Sequence, residues 1–317
     1  MTKVDLITGF LGAGKTTFLL RYAAHMLRQG RRIAILAFDR GAVNVDMPLF
    51  SGLRGENCEI EMLAGACDRD CHMRRFRTKL ISLGMRGFDR VLIEPSGVFD
   101  MDEFFDVLND SPLDRWFEPG SVIAVVDAML EEDTSPEEDF YLASQALSAG
   151  CVLLSRTQEA DAKRIEKTLA HLERACKAIA PRGVSDRVIA KDWDSLTEAD
   201  FRRLEGCGFH AADYRKPIAG QDAGFQSLSF LNLPLGGAAL TERAERLFSG
   251  AEYGKILRVK GFFEEKGVWY AFNATKGGTH IDPVRDNRAA LIVVGANLNE
   301  DAVSILLTGK PPEHHIL

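Results

Sequence analysis

Gly9-Phe10-Leu11-Gly12-Ala13-Gly14-Lys15-Thr16-Thr17 is the stretch on which the fold turns. It follows the short apolar run Val4-Asp5-Leu6-Ile7-Thr8 and opens a helical pattern, Phe18-Leu19-Leu20-Arg21-Tyr22. A glycine, four residues and then Gly-Lys-Thr, set between a strand and a helix, is the spacing of a phosphate-binding loop. The residue types follow from the chemistry. Glycines let backbone N–H groups curl around phosphate oxygens without Cβ clashes. The helix N-terminus adds partial positive charge. Lys15 can reach the outer phosphates, and the Thr16 hydroxyl can ligate Mg²⁺. A nucleoside triphosphate is the ligand this implies, with Gly9, Gly12, Ala13, Gly14, Lys15, Thr16 and Thr17 around it.

The bulk properties narrow the class. The 317 residues suggest about two domains. A hydrophobic fraction of 46% and a charged fraction of 27% are ordinary for a soluble globular protein. The net charge of -7 argues against a nucleic-acid partner bound through phosphate neutralisation. No apolar run approaches the roughly 18 residues of a membrane span. The phosphate loop sits where a cleavable signal would lie, so a cytoplasmic location is expected. Cys58, Cys67, Cys71, Cys151, Cys176 and Cys207 are then expected to be mostly thiols.

Along the chain, the first helix should end near Gln29 at Gly30, and Arg32 to Phe38 reads as a buried strand. The polar loop after it, Asp39 to Asp46, lies at the strand end that faces the ligand in an open α/β sheet. Asp39 and Asp46 either act on the nucleotide side or cap the loop. Residues 47–66 read as an insertion with a small strand near Cys58 to Leu63. Next comes Gly65-Ala66-Cys67-Asp68-Arg69-Asp70-Cys71-His72, entering a helix. Two cysteines four apart meet on one helix face, and thiolates with imidazole suit Zn²⁺ and related metals. The other reading of Cys67, Cys71 and His72 is small, half-buried residues at a helix start.

Asp89-Arg90-Val91-Leu92-Ile93-Glu94-Pro95-Ser96-Gly97 is the second strong segment, an apolar strand ending in an acid and a short glycine loop. With a phosphate loop present, Glu94 is placed to orient the Mg²⁺ shell and the Gly97 N–H to sense the terminal phosphate. Further strands are expected at Ser121 to Val126, Cys151 to Leu154 and Arg187 to Ala190, with helices between them. Asp127 caps the next segment or touches the site. Alternating strands and helices indicate a doubly wound, mostly parallel sheet. A Pro/Gly-rich break near residues 217–224 separates residues 1–216 from residues 225–317. Beyond it the pattern changes to a smaller α+β domain with a hairpin, Ile256 to Phe263 and Val268 to Asn273. His314 and His315 could add metal ligands, though terminal histidines are more often solvated.

The glycine loop, Ile93-Glu94-Pro95-Ser96-Gly97 and Val125-Val126-Asp127-Ala128 together resemble the CobW-type GTPases, relatives of the HypB and UreG nickel-insertion GTPases. Leu257 to Gly261 and Leu291 to Gly295 resemble that family's C-terminal domain, so the resemblance spans nearly the whole chain. It implies Mg²⁺-dependent GTP hydrolysis coupled to handling of Zn²⁺ or Co²⁺, or to cobalamin biosynthesis. The departures are specific. The family's Cys-x-Cys-Cys is replaced by Cys67, Cys71 and His72. The Asn-Glu before a glycine becomes Phe38-Asp39-Arg40-Gly41, and the later acid is lost at Ala42. The guanine-reading Asn-Lys-x-Asp becomes Ser155-Arg156-Thr157-Gln158. A carboxylate accepts both guanine N–H donors, whereas Gln158 offers one carbonyl oxygen. GTP selectivity should therefore be weakened, leaving ATP as the alternative, with the Arg156 stem still able to stack on the base. The expected partners are the nucleotide and a metalloprotein or corrinoid-enzyme client met through the C-terminal domain; an oligomer is compatible with both. A nucleotide-dependent regulator without metal transfer is the alternative function. A phosphate-loop kinase is disfavoured by the Glu94-x-x-Gly97 pattern.

Overall fold

The computed structural model describes residues 1–39, 47–64, 69–131, 133–211, 214, 225–284 and 289–312. Asp46, Cys67, His314, His315 and the 217–224 break lie outside the described residues, as does the Asp39 side chain. The chain divides into two compact units, one carried mainly by residues up to Ala219 and the other mainly by residues from Gly220 onward.

In the first unit the elements are β1 (Thr2–Thr8), α1 (Lys15–Arg28), β2 (Ile33–Asp39), β3 (Cys58–Ala64), α2 (Arg69–Gly84), β4 (Arg90–Glu94), α3 (Met101–Asn109), β5 (Phe117–Asp127), α4 (Pro136–Ser148), β6 (Cys151–Ser155), α5 (Ala162–Ile179), β7 (Val188–Ile189) and α6 (Glu198–Glu205). The strands form one seven-stranded sheet in the order β3-β2-β4-β1-β5-β6-β7. Pairing is parallel from β2 through β7. Every residue of β4 and β6 is buried. That is why these strands read as continuous apolar runs: both faces of a parallel sheet are covered.

The register sets the site. β1, which feeds the glycine loop, lies between β4 and β5. Ala37 of β2 pairs with Glu94 at the end of β4, and Asp127 pairs with Ser155 at the ends of β5 and β6. Helices α2 to α5 share an apolar layer with Val4, Leu6, Ala34, Leu36, Val91 and Ile93. Residues of the other parity face the opposite way. One of them is Asp5, wholly buried, which accepts from Arg90 Nη1 at 2.6 Å, Tyr22 OH of α1 at 2.9 Å and Ser121 N at 2.8 Å. Burial pushes the Asp5 carboxyl upward, and Arg90, the Ser121 amide and Tyr22 pull it back. Arg90 Nη1 and Ser121 Oγ both donate to the Glu205 carbonyl, at 3.2 and 2.8 Å, which ties α6 to β4 and β5.

Helix starts follow local chemistry. Ser135 and Glu138 form a capping box on α4, with Pro136 in the first turn, and Thr197 and Asp200 form one on α6. Asp161 caps α5 through the Arg164 amide. α1 differs: its N-cap is Gly14 at φ 95°, with no capping side chain.

The second unit holds β8 (Phe225–Leu231), α7 (Gly237–Ser249), β9 (Lys255–Glu265), β10 (Val268–Thr275), β11 (Gly278–Val284), β12 (Ala290–Ala296) and α8 (Glu300–Thr308). Its antiparallel sheet runs β11-β10-β9-β12-β8. α7 and α8 cover one face through Leu240, Leu247, Val303 and Leu307. β11 was not anticipated from the sequence. It is an edge strand, Gly-Thr-His-Ile-Asp-Pro-Val, with one large exposed apolar residue and a proline, so it lacks the alternation that marks a strand. Among the described residues no helix is long and apolar enough to cross a membrane.

Candidate functional site

The glycine loop bridges β1 and α1. Gly9 has φ 144°, and a Cβ there would lie 2.3 Å from the Val125 carbonyl oxygen, so only glycine lets the loop leave the sheet at this point. Lys15 is 6% exposed and its ammonium donates to the Gly9 carbonyl at 2.9 Å and to that of Phe10 at 3.3 Å. The ammonium is thus held over the loop by the loop's own oxygens. Without a capping side chain, the first amides of α1 keep the partial positive charge that attracts phosphate. Ala13 is buried, while Gly12, Gly14 and Thr16 are half-buried and Thr17 is exposed.

Thr16 Oγ1 donates to Glu94 Oε1 at 2.6 Å. Glu94 is 7% exposed at the end of its strand, so a hydroxyl and a carboxylate from two elements meet at the loop. Gly97 follows in the same turn. A Cβ on Gly97 would stand 2.5 Å from the Leu11 amide nitrogen, so the two loops touch backbone to backbone. On the far side Gln145 Nε2 of α4 donates to the Gly97 carbonyl at 3.0 Å. Gly97→Ala should therefore cost about 1–3 kcal/mol through overpacking. Thermal unfolding checks this, and an unchanged midpoint would count against the contact.

The base side is assembled from the ends of β5 and β6. Arg156 adopts φ 54° in the turn after β6. Its guanidinium pairs with Asp127 Oδ2 at 3.0 Å and with Glu159 Oε2 at 2.8 Å. Asp127 also caps the turn through the Met129 amide at 2.8 Å. Gln158 is exposed. Trp193, which the sequence did not flag, occupies the neighbouring position. Its Nε1 donates to the Leu154 carbonyl at 2.8 Å and its ring meets Phe18 edge-on at 5.5 Å. A Cβ on Gly14 would lie 3.3 Å from the Trp193 ring and 3.5 Å from Ser155 Cβ. The hydroxyls of Thr8, Ser155 and Thr157 are buried with no hydrogen-bond partner among the described residues. Buried polar groups normally find partners, and these three sit at the strand ends where an α/β sheet takes its ligand. Trp193 stands three residues past Ala190 at that same edge, which is the signal that could have found it. Gln145, a buried amide among alanines in α4, is a weaker signal of the same kind.

Cys71 and His72 lie in the first turn of α2, and Cys71 is half-buried. The His72 ring stands edge-on to Phe38 at 5.1 Å. Phe38 closes β2 just before Asp39, and its ring also meets Phe76 at 4.9 Å and Phe99 at 5.8 Å. Phe99 belongs to the turn after Gly97. Among the described residues no three His, Cys, Asp or Glu side chains come together as a metal set. Burial pushes Cys58 and Cys207 to about 11 and Cys151 and Cys176 to about 12. Iodoacetamide at pH 8 should accordingly leave these four intact in the native protein, and Zn²⁺ should slow labelling of Cys71 roughly tenfold. Peptide mapping by mass spectrometry reads both effects; equal labelling with and without Zn²⁺ would remove Cys71 from any metal site.

A family model described as CobW/HypB/UreG, nucleotide-binding domain, matches residues 3–182. Two curated proteins of Escherichia coli (strain K12) are similar. The zinc chaperone YjiA is 31% identical over 182 residues, covering 53% of this chain and 54% of its own. The zinc chaperone YeiR is 27% identical over 172 residues, covering 53% and 50%. The chain thus spans about half the length of the curated relatives it matches. Among solved structures, Zn(II)-bound YjiA GTPase from E. coli is 21% identical, with 98% of this chain and 99% of that one covered and a TM-score of 0.36. Hydrogenase maturation factor HypB from Archaeoglobus fulgidus is 19% identical, with 64% and 86% covered and a TM-score of 0.37. The family match takes in the glycine loop, the Glu94 strand end and the Ser155 strand end, over more than half of the 317 residues, and the chain belongs to the CobW/HypB/UreG family.

Proposed function

We propose that the chain is a Mg²⁺-dependent GTPase whose nucleotide state governs its hold on Zn²⁺, which it passes to a client metalloprotein. The observation that carries the nucleotide half is the 2.6 Å contact of Thr16 with Glu94 beside the glycine loop. Paired hydroxyl and carboxylate oxygens are the donor set a hard divalent cation takes, so these residues fit Mg²⁺. When bound, that ion neutralises charge on the phosphate oxygens. The protein's own groups do the rest. Loop amides from Gly12 to Thr17 hold phosphate oxygens, and Lys15 brings its charge to the outer ones. The Gly97 amide reads the terminal phosphate, with Gln145 fixing the carbonyl of the same residue. Asp39 or Asp46 orders the attacking water. Ser155, Arg156 and Gln158 border the base.

GTP is preferred in this reading because YjiA is described as a GTPase. Gln158 supplies one acceptor for two guanine donors, so the preference over ATP is modest, about tenfold. Phosphate release from GTP and ATP, with Mg²⁺ and with EDTA, tests this half. Hydrolysis of GTP should require Mg²⁺ and exceed that of ATP; no hydrolysis of either nucleotide would end the reading.

The metal half is supported by two zinc chaperones among the relatives and by the thiol and imidazole donors of Cys67, Cys71 and His72. Co²⁺ competes for such donors but binds more weakly than Zn²⁺ to thiolates. The physical link between the halves is the ring cluster around Phe38. It joins Phe99, in the turn after Gly97, to His72 and Phe76 on α2. Packed rings shift together rather than deform, so a move of the Gly97 turn on γ-phosphate binding reaches the metal segment.

A further inference from the structure

The second unit carries an open cleft of about 500 Å³ between α7 and the outer strands of its sheet. Its floor is Phe263 and Tyr270, stacked with ring centroids 5.4 Å apart and planes 19° from parallel. Ile281 of the edge strand β11 forms one wall and is 39% exposed. The opposite wall is the face of α7 that carries Thr241, Glu242 and Glu245. Glu265, at the end of β9, stands at the head of that helix, where a Cβ on Gly236 would lie 2.9 Å from its carboxylate. The cleft thus combines an apolar floor with three acidic side chains on its rim.

Two features single out this cleft. Among the described residues no lysine or arginine lines it, and Lys266 of the neighbouring turn borders the adjoining cavity instead. Glu242, Glu245 and Glu265 form no ion pair with any described residue, whereas Asp5 and Asp127 of the first unit each pair with an arginine. The second feature is the strand beside it. β11 is the outermost strand of the sheet order, and five of its seven residues are exposed. An edge strand offers unpaired backbone groups to an incoming extended segment.

We propose that this cleft is a docking site for an extended, lysine- or arginine-bearing segment of another protein. One apolar side chain of that segment seats on Phe263, Tyr270 and Ile281, and its cations face Glu242, Glu245 and Glu265. Apolar burial in the centre with charge pairing at the rim is the usual division of labour in such contacts. The net charge of -7 draws a basic segment toward the molecule at long range. In the metal-delivery reading this segment belongs to the client, but the cleft lies wholly within the second unit, and its occupancy needs neither hydrolysis nor metal.

Fluorescence anisotropy on the full chain, without nucleotide or metal, tests the proposal with three labelled twelve-residue peptides. One alternates lysine with leucine, one glutamate with leucine and one lysine with serine. The lysine–leucine peptide should bind at least ten times more tightly than either of the others. The double variant E242K/E245K should weaken it by at least tenfold, and Ile281→Ser by a few-fold. The control double variant D114K/E166K, with the same charge change on exposed residues of the first unit, should leave binding as it was. Equal binding of the lysine–serine peptide, or equal loss in the control variant, would mean diffuse charge attraction and would overturn the proposal. So would a doubled mass in light scattering that Ile281→Ser abolishes, since the occupant would then be a second copy of the chain. Because phosphate release is measured separately, failure here leaves the GTPase reading intact, and failure there leaves this one intact.

Discussion

Lys15→Ala should lower kcat/KM for GTP hydrolysis about a thousandfold. The Lys15 ammonium is held over the glycine loop by the Gly9 and Phe10 carbonyls. Phosphoryl transfer asks little covalent chemistry of a protein and much charge stabilisation, so losing the cation falls on the transition state. Lys15→Arg keeps the charge but cannot fit its planar fork between two loop carbonyls, and it should recover little. Labelled-GTP binding should weaken less than turnover does, because the loop amides and the α1 terminus remain. Stability should fall by about 1–3 kcal/mol, since the buried Gly9 carbonyl loses its donor. A variant that unfolds, or one that hydrolyses GTP within tenfold of the parent, would contradict the assigned role.

Arg90→Met should destabilise the first unit by about 3–5 kcal/mol. Methionine keeps most of the volume but leaves the Asp5 carboxylate buried without its cation. Asp5 is wholly buried, and its other partners, the Ser121 amide and Tyr22 hydroxyl, carry no positive charge. The Glu205 carbonyl loses a donor as well. The double variant D5N/R90M should recover part of the loss, because the unpaired charge goes with the carboxylate. Urea unfolding of parent, single and double variants reads the coupling directly. A loss below about 1 kcal/mol in the single variant would mean that water reaches Asp5 and the network is weaker than its geometry implies.

Much of this was legible in the chain, and particular residues show why. The glycine loop announces itself because its glycines and lysine answer to backbone geometry and phosphate charge, both local demands. The strands β4 and β6 announce themselves because burial on two faces forces the apolar runs Val91-Leu92-Ile93 and Cys151-Val152-Leu153-Leu154. Glu94 was legible only as the acid that ends such a strand. What was hidden depends on contacts distant in sequence. Asp5 in the first strand is one acid inside a short apolar run, and its role is invisible until Arg90 and Ser121, 85 and 116 residues away, are placed beside it. The pairing of Arg156 with Asp127 is invisible until the β5–β6 register brings Asp127 next to Ser155. Trp193 reads as a loop aromatic until the end of β6 supplies its carbonyl partner. β11 was missed because an edge strand needs no apolar face, and pattern reading relies on one.

The claim on which these roles converge is that nucleotide state sets metal affinity through the Phe38 ring cluster. Zn²⁺ affinity measured by competition with a chromophoric chelator, with GDP and with a non-hydrolysable GTP analogue bound, tests it most directly. The two affinities should differ by at least tenfold in the parent, and Phe38→Leu, which keeps the core apolar but removes the ring, should shrink that difference to about twofold. Equal Zn²⁺ affinity in the two nucleotide states of the parent protein would contradict it.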